Sequence, residues 1–155
     1  MSTEPGRRFE RGTDGPLRIV AGLDGSDSSM RAVAYAAGLA RRQNAELALV
    51  YVQPVALGMA VPTFAELTAQ SGEAIATELR DEITTTAESL KDVYRIRWQF
   101  HVRRGDPFRE LAAAAEELTA DSVVVGASEA LRHRVAGSIA ARLIRLGQWP
   151  VTVVP

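Results

Sequence analysis

The sequence contains no cysteine among its 155 residues. Disulfides, thiol catalysis and thiolate metal sites are therefore excluded for this chain. Its two histidines, His101 and His133, lie far apart in the sequence and offer little basis for a zinc site. These absences exclude the cysteine-dependent classes of enzyme and disfavour the zinc enzymes.

Long apolar runs and a large excess of one charge are also missing. No run approaches the ~20 apolar residues that a membrane helix needs, and the N-terminus has charges but no apolar signal core. The formal net charge is -1 and the pI is about 6.1, which disfavours broad electrostatic binding to nucleic acid. We therefore expect a cytoplasmic protein with neither a membrane nor a nucleic acid as partner.

Composition divides the chain into a tail and one domain. Hydrophobic residues make up 46% of the chain, which is typical of a globular protein. Residues 1–16 differ, because Gly, Pro and charged residues dominate them without any periodicity. We expect residues 1–16 to be a disordered N-terminal tail and residues 17–155 to form a single domain.

Strands and helices alternate along the predicted domain. Four apolar runs and one alternating run predict five strands, which are Leu17–Leu23, Glu46–Val52, Arg95–Arg103, Ser122–Gly126 and Val151–Val154. Helical patterns lie between them, over residues 28–42, 63–93, after Pro107, and 138–146. The second helix should break near Gly72, because glycine weakens helix propensity. In the alternating strand His101 lies on the polar side, which we expect to be solvated.

This order predicts an α/β fold with a doubly wound, five-stranded parallel sheet and helices on both faces. The first and fourth strands are largely apolar on both faces and belong in the centre, whereas the alternating third strand belongs at an edge. The strand order 3-2-1-4-5 satisfies both conditions, and its switch point lies between strands one and four. Asp24, after the first strand, and Gly126, after the fourth, should then lie side by side over the ligand-binding crevice.

The stretch from Asp121 to Ser138 has an order that suits an anion. The strand ends at Gly126, a polar loop follows, and Gly137-Ser138 opens a helix. Free backbone N–H groups and the helix dipole would point at a phosphate above the strand. The plainer alternative is an ordinary β–α connection with a capped helix.

Residues 17–155 resemble the universal stress protein family. The resemblance rests on Asp24-Gly25-Ser26 after the first strand, on Val123–Gly126, on Gly137-Ser138, and on the closing stretch Trp149–Val154. It implies a Rossmann-like fold of the adenine nucleotide alpha hydrolase type and a role in the stress response. It also implies a homodimer, and no helix follows the apolar fifth strand, Val151–Val154, to cover its edge.

The nucleotide-binding branch of that family carries the motif G-x2-G-x9-G-[S/T]. The resemblance therefore implies a site for ATP or AMP, with Mg²⁺ accompanying ATP. Gly126 matches the first glycine, Asp24 the acidic residue near the sugar and phosphates, and Val52 the position that flanks the adenine. The full set of expected contact residues is Leu23, Asp24, Val52, Val125, Gly126, Glu129, Gly137, Ser138 and Ile139.

Two departures from the motif leave the nucleotide open. Glu129 replaces the second glycine, and ten residues separate Gly126 from Gly137, two fewer than in the motif. A carboxylate beside a triphosphate is repulsive, and a side chain blocks close backbone approach. The basic stretch Arg132–Arg134 in the same loop could supply compensating positive charge.

Four functions remain in competition. The first is an adenine-nucleotide-binding signalling protein, and the second is a nucleotide-free dimer that acts through protein contacts, which the two departures favour. The third is an enzyme with at most slow ATP hydrolysis, for which Asp24 is the one candidate base or Mg²⁺ ligand. A phosphoacceptor receiver domain ranks last, because Gly25 follows Asp24 where an acidic pair is wanted and no lysine follows strand five.

Overall fold

The computed structural model describes residues 15–55, 62–128 and 138–155, and for residues 62–69 it gives the helical backbone alone. Nearly all of the predicted tail lies outside the described residues. So does the loop of residues 129–137, which includes Glu129 and Gly137.

Five parallel strands form one sheet in the order β3-β2-β1-β4-β5. The strands are β1 (Arg18–Leu23), β2 (Glu46–Pro54), β3 (Arg97–Gly105), β4 (Ser122–Gly126) and β5 (Val151–Val154). This order confirms the predicted fold, including the central positions of the first and fourth strands. Both of those strands are buried along most of their length because helices cover both faces of the sheet.

Four helices in the described residues connect the strands. They are α1 (Asp27–Gln43), α2 (Pro62–Leu90), α3 (Pro107–Glu117) and α4 (Ile139–Leu146). Alternate residues of each strand point to opposite faces, so Ile19 packs with α1 and α2 whereas Val20 packs with α3 and α4. The sheet therefore separates two apolar cores, one on each face.

Capping residues mark the ends of the helices. The Asp106 carboxylate accepts a hydrogen bond from the Arg109 N–H at 2.9 Å, and Pro107 occupies the first turn of α3. Asn44 ends α1 and Gly147 ends α4, both in the left-handed conformation with φ of 51° and 64°. Local sequence chemistry therefore fixes where these helices begin and end.

The predicted break in α2 near Gly72 is wrong, because the helix is continuous over Pro62–Leu90. Gly72 is buried where α2 meets β2, and a Cβ at this position would lie 2.1 Å from Cδ of Gln53. The glycine thus allows a close helix–strand contact that outweighs its low helix propensity. The hydroxyls of Thr84 and Thr86 donate to carbonyl groups four residues earlier, which accommodates them in the helix.

The polar side of β3 is not simply solvated, as the alternating pattern had predicted. His101 is half-buried, and burial, followed by the positive charge of Arg103, lowers its pKa. Arg103 forms an ion pair with Glu117 of α3, which tethers that helix to this side of the edge strand. Val102, one of the apolar residues that alternate with the polar ones along β3, is instead 40% exposed. Helix α3 therefore shields from solvent a side of β3 that the sequence pattern predicts to be exposed.

Candidate functional site

A tight turn holds Asp24 at the carboxyl end of β1. Its Oδ1 accepts a hydrogen bond from the Ser26 N–H at 2.9 Å, and its own N–H donates to Ser29 Oγ at 3.3 Å. Gly25, between Asp24 and Ser26, has φ of +85°, a backbone conformation that residues with a side chain rarely adopt. Ser26 is the N-cap of α1 and accepts the Ser29 N–H at 3.2 Å. The turn therefore presents the Asp24 side chain, which is exposed, at the edge of the sheet.

The local hydrogen bonds keep this carboxyl group ionised. Partial burial raises the pKa of Asp24, but hydrogen bonds from Ser26 and Ser29 outweigh it, and the pKa lies below its ordinary value. At neutral pH the group is therefore a carboxylate. It can accept hydrogen bonds from hydroxyl groups or bind a cation, and it repels an anion placed directly against it.

Gly126 ends β4 against the first turn of α1. A Cβ at this position would lie 2.6 Å from the carbonyl carbon of Ser28 and 2.7 Å from the backbone nitrogen of Ser29. Close packing of strand and helix therefore accounts for this glycine without any ligand. The same contact holds the turn that carries Asp24 next to the end of β4.

Tyr51 is a neighbour of Asp24 that the predicted contact set does not include. It pairs with Leu23 in the register of β1 and β2 and is 4% exposed. Burial, and then the negative charge of Asp24, raises the pKa of its hydroxyl group. The sequence alone could not identify it, because its position beside the last residue of β1 depends on the strand register.

The remaining predicted contact residues divide between the two faces of the sheet. Leu23 is buried with α1 and α2, whereas Val52 and Val125 are buried with α3 and α4. The structure thus brings Leu23, Asp24 and Gly126 to the carboxyl edge of the two central strands, with Val125 immediately before Gly126. Val52 lies on the adjacent strand β2.

Ser138 begins α4 as its N-cap and is 4% exposed, and its hydroxyl accepts the Ala141 N–H at 3.1 Å. Ile139 follows and packs half-buried against the α3–α4 core. The N–H groups of Ile139 and Ala140 find no acceptor in the described part of the chain. Such N–H groups at a helix N-terminus favour an anion. Glu129 and Gly137, the other predicted members of the site, lie outside the described residues.

The described residues contain no group of three or more His, Asp or Glu side chains that could hold a metal ion. Within residues 15–55, 62–128 and 138–155, no helix is both long enough and apolar enough to cross a membrane.

Comparison with known proteins gives one consistent result. The family model described as the universal stress protein family matches residues 17–155. A universal stress protein of Methanocaldococcus jannaschii is 31% identical over 145 residues, which cover 88% of this chain and 81% of that protein.

Solved structures show the same similarity. The universal stress protein UspA of Lactobacillus plantarum superposes with a TM-score of 0.75 at 22% identity, over 90% of this chain and 97% of that one. A universal stress protein in complex with cAMP superposes with a TM-score of 0.69 at 26% identity, over 91% and 98% of the two chains.

Proposed function

This chain belongs to the universal stress protein family, and from that premise we propose that it is a stress-response protein that binds an adenine nucleotide as a signal. The proposed site lies at the carboxyl edge of β1 and β4, at the switch point of the sheet. The observation that carries the proposal is the ionised, exposed carboxylate of Asp24 beside the glycine end of β4. The relative solved in complex with cAMP supports the same class of ligand.

In this proposal the sugar and the phosphates meet different groups. Asp24 accepts hydrogen bonds from the ribose hydroxyls, as an acidic residue does in dinucleotide-binding folds. The N–H groups of Ile139 and Ala140 at the start of α4 receive phosphate oxygens. Val52 flanks the adenine, with Leu23 and Val125 packed below the site. Mg²⁺ would enter with ATP, shared between its phosphates and Asp24.

Binding assays on purified protein test the proposal directly. The supernatant of freshly purified, denatured protein is examined for bound nucleotide by its ultraviolet spectrum, and titration calorimetry with AMP, ATP and cAMP follows. Asp24→Asn should weaken AMP binding by about 1–2 kcal/mol, the scale of a hydrogen bond to a charged group. Asp27→Asn, which neutralises another exposed carboxylate three residues away, should leave the affinity unchanged. Equal affinities of wild type and Asp24→Asn would contradict the role given to Asp24.

We also propose that Glu129 sets the preference among nucleotides. It stands where the motif has its second glycine, between Gly126 and the helix opened by Gly137-Ser138. A carboxylate there repels the distal phosphates most, so affinity should fall from AMP to ATP. Glu129→Gly should shift the balance towards ATP by about 1–2 kcal/mol, the scale of one charged contact. If wild type and Glu129→Gly have the same affinity for AMP and the same affinity for ATP, this role is refuted.

A nucleotide-free dimer that acts through protein contacts is the second candidate, and the free edge of β5 favours it. Within the described residues no strand pairs with the outer edge of β5, and its residues Val151–Val154 are only half-buried. On the neighbouring helix α4, Ile144 is 56% exposed and Leu146 41% exposed. An apolar edge of this kind favours pairing with a second copy. No binding of AMP, ATP or cAMP by a dimeric wild-type protein would favour this candidate over the first.

A further inference from the structure

A groove of about 790 Å³ lies between α1 and the C-terminal half of α2. Its floor consists of Leu47 and Leu49 at the start of β2, Trp98 at the start of β3, and Ile96 just before β3. The proposed nucleotide site lies at the opposite, carboxyl ends of the strands. The groove is therefore a separate feature that the proposed function does not use.

The groove exists because the side chains on the inner face of α2 become more exposed to solvent towards the C-terminal end of the helix. Ala76 and Leu79 are each 6% exposed, Ile83 is half-buried, and Leu90 in the last turn is 41% exposed. On the facing side of the groove, α1 contributes the small residues Ala34, Ala37 and Gly38. An apolar channel thus stays open to solvent, and a concave apolar surface is typical of small-molecule sites.

Basic side chains line the same groove. Arg41, Lys91 and Arg95 contribute three positive charges, and Glu82 and Glu88 contribute two negative charges, which leaves one net positive charge. None of the three basic side chains forms an ion pair within the described residues.

One of these cations is also oriented by an aromatic ring. The guanidinium of Arg41 lies over the ring of Tyr94 at 4.4 Å from its centroid. Stacking of this kind fixes the plane of the guanidinium and leaves its N–H groups, which lie in that plane, available to an anion.

We propose that this groove binds a long-chain carboxylate, with its hydrocarbon chain on the apolar floor and its head group at Arg41, Lys91 and Arg95. The volume falls in the range of small-molecule sites, which are mostly apolar with a few convergent polar groups. A single negative head matches the single net positive charge of the lining. The three cations favour an anionic head group over a neutral one, because they attract its charge and do not attract a neutral head group.

A series of ligands of increasing length tests the apolar part of the proposal. The change in tryptophan fluorescence on titration with octanoate, decanoate and dodecanoate reports binding, because Trp98 lines the groove. Each added methylene that is buried should strengthen binding about fourfold, or about fifteenfold for two. Affinities that do not rise with chain length, or no binding by dodecanoate, would overturn the proposal.

The head group is tested with decanol, the uncharged counterpart of decanoate. Decanoate should bind at least about fivefold more tightly than decanol. Each exposed ion pair is weak by itself, but the three cations together attract the carboxylate. The triple variant Arg41→Gln, Lys91→Gln, Arg95→Gln should remove this difference and leave decanol binding unchanged. Equal binding of decanoate and decanol by the wild type would show that the basic side chains do not recognise a head group, and would refute the assignment.

Two substitutions that fill the groove from opposite walls complete the test. Ala37→Phe on α1 and Ala87→Phe on α2 each place a ring in the channel and should weaken decanoate at least tenfold. Ala74→Phe is the matched control, because Ala74 is exposed on α2 outside the groove. Circular dichroism checks that each variant folds, and if the filling variants do not, the charge variant decides alone. Unchanged decanoate affinity in both folded filling variants would place the ligand elsewhere and overturn the proposal.

Discussion

Replacing Gly126 by alanine should destabilise the protein and disturb the proposed nucleotide site together. The new Cβ would lie 2.6 Å from the carbonyl carbon and 2.7 Å from the carbonyl oxygen of Ser28, and 2.7 Å from the nitrogen of Ser29. These are backbone atoms of the first turn of α1, and they cannot rotate away as the end of a side chain can. Either β4 or the start of α1 must therefore move.

The size of the effect follows from the cost of overpacking. Inserting a methyl group into a well-packed contact costs about 1–3 kcal/mol. For a domain of this length each kcal/mol lowers the Tm by about 2–4 °C, so we expect a fall of about 2–12 °C. Because the turn at Asp24 is anchored on the same part of α1, through Ser26 and Ser29, the affinity for AMP should fall as well.

Gly38→Ala is the matched control for this prediction. Gly38 lies inside α1, and a Cβ there would meet only the flexible end of Arg42, with Nη1 at 3.3 Å. Alanine in a helix interior is more favourable than glycine by about 0.5–1 kcal/mol, so this variant should melt above the wild type. Calorimetric melting and AMP titration of all three proteins give both readouts. A Gly126→Ala protein that melts at or above the wild-type temperature would refute the packing argument, and unchanged AMP affinity in a destabilised variant would refute the link to the site.

Three further predictions concern charge, assembly and the tail. Asp24→Asn should lower the free energy of unfolding by about 0.5–1 kcal/mol at neutral pH and by nothing in strong acid. The pKa of Asp24 is lowered in the folded state, so the stability that its charge contributes is lost as the pH falls through the folded-state pKa. Denaturant titrations that show the same difference at both pH values would contradict this. Val153→Lys should weaken the proposed homodimer through β5, and a monomeric wild type by light scattering at tens of micromolar would rule that dimer out. Deleting residues 1–16 should leave the Tm nearly unchanged, whereas a fall of several degrees, about 1 kcal/mol or more, would show that the tail packs on the domain.

The strand order could be predicted because burial patterns distinguish central from edge strands. Val123 and Val124 belong to a run with no polar alternation, as a strand covered on both faces requires. The alternating residues Arg97–Arg103 have no such run, and β3 is indeed an edge strand. Once these two observations fix the order, the adjacency of Asp24 and Gly126 follows from topology alone.

The two wrong predictions share one physical cause, which is contact with another element of the fold. Gly72 lowers helix propensity locally, but its missing side chain is what lets α2 approach Gln53 of β2. His101 lies on a polar side of its strand, but an ion pair from Arg103 to Glu117 ties α3 to that side. Periodicity reports the preferences of a segment and carries no information about which helix will cover it.

Part of the candidate site could not be predicted for the same reason. The position of Tyr51 near Asp24 depends on its pairing with Leu23 in the strand register, which residue patterns alone do not fix. The role of Ser29 depends on its donation to the Ser26 carbonyl and its acceptance of the Asp24 N–H, both inside one turn. Residues of this kind become visible only when backbone atoms are placed.

Gly126 and Asp24 carry different weight in the choice between the two functions. Packing against the first turn of α1 fully explains the glycine, so Gly126 would be required in a nucleotide-binding protein and in a nucleotide-free one. Asp24 also has a structural part, because its Oδ1 accepts the Ser26 N–H in the turn, but its carboxylate stays exposed and ionised at the switch point. An asparagine could hold the same turn through its amide oxygen at a small cost in stability, so the negative charge itself points to a ligand. The affinity of Asp24→Asn for AMP therefore discriminates between the two functions, whereas the stability of Gly126→Ala tests only the fold on which both depend.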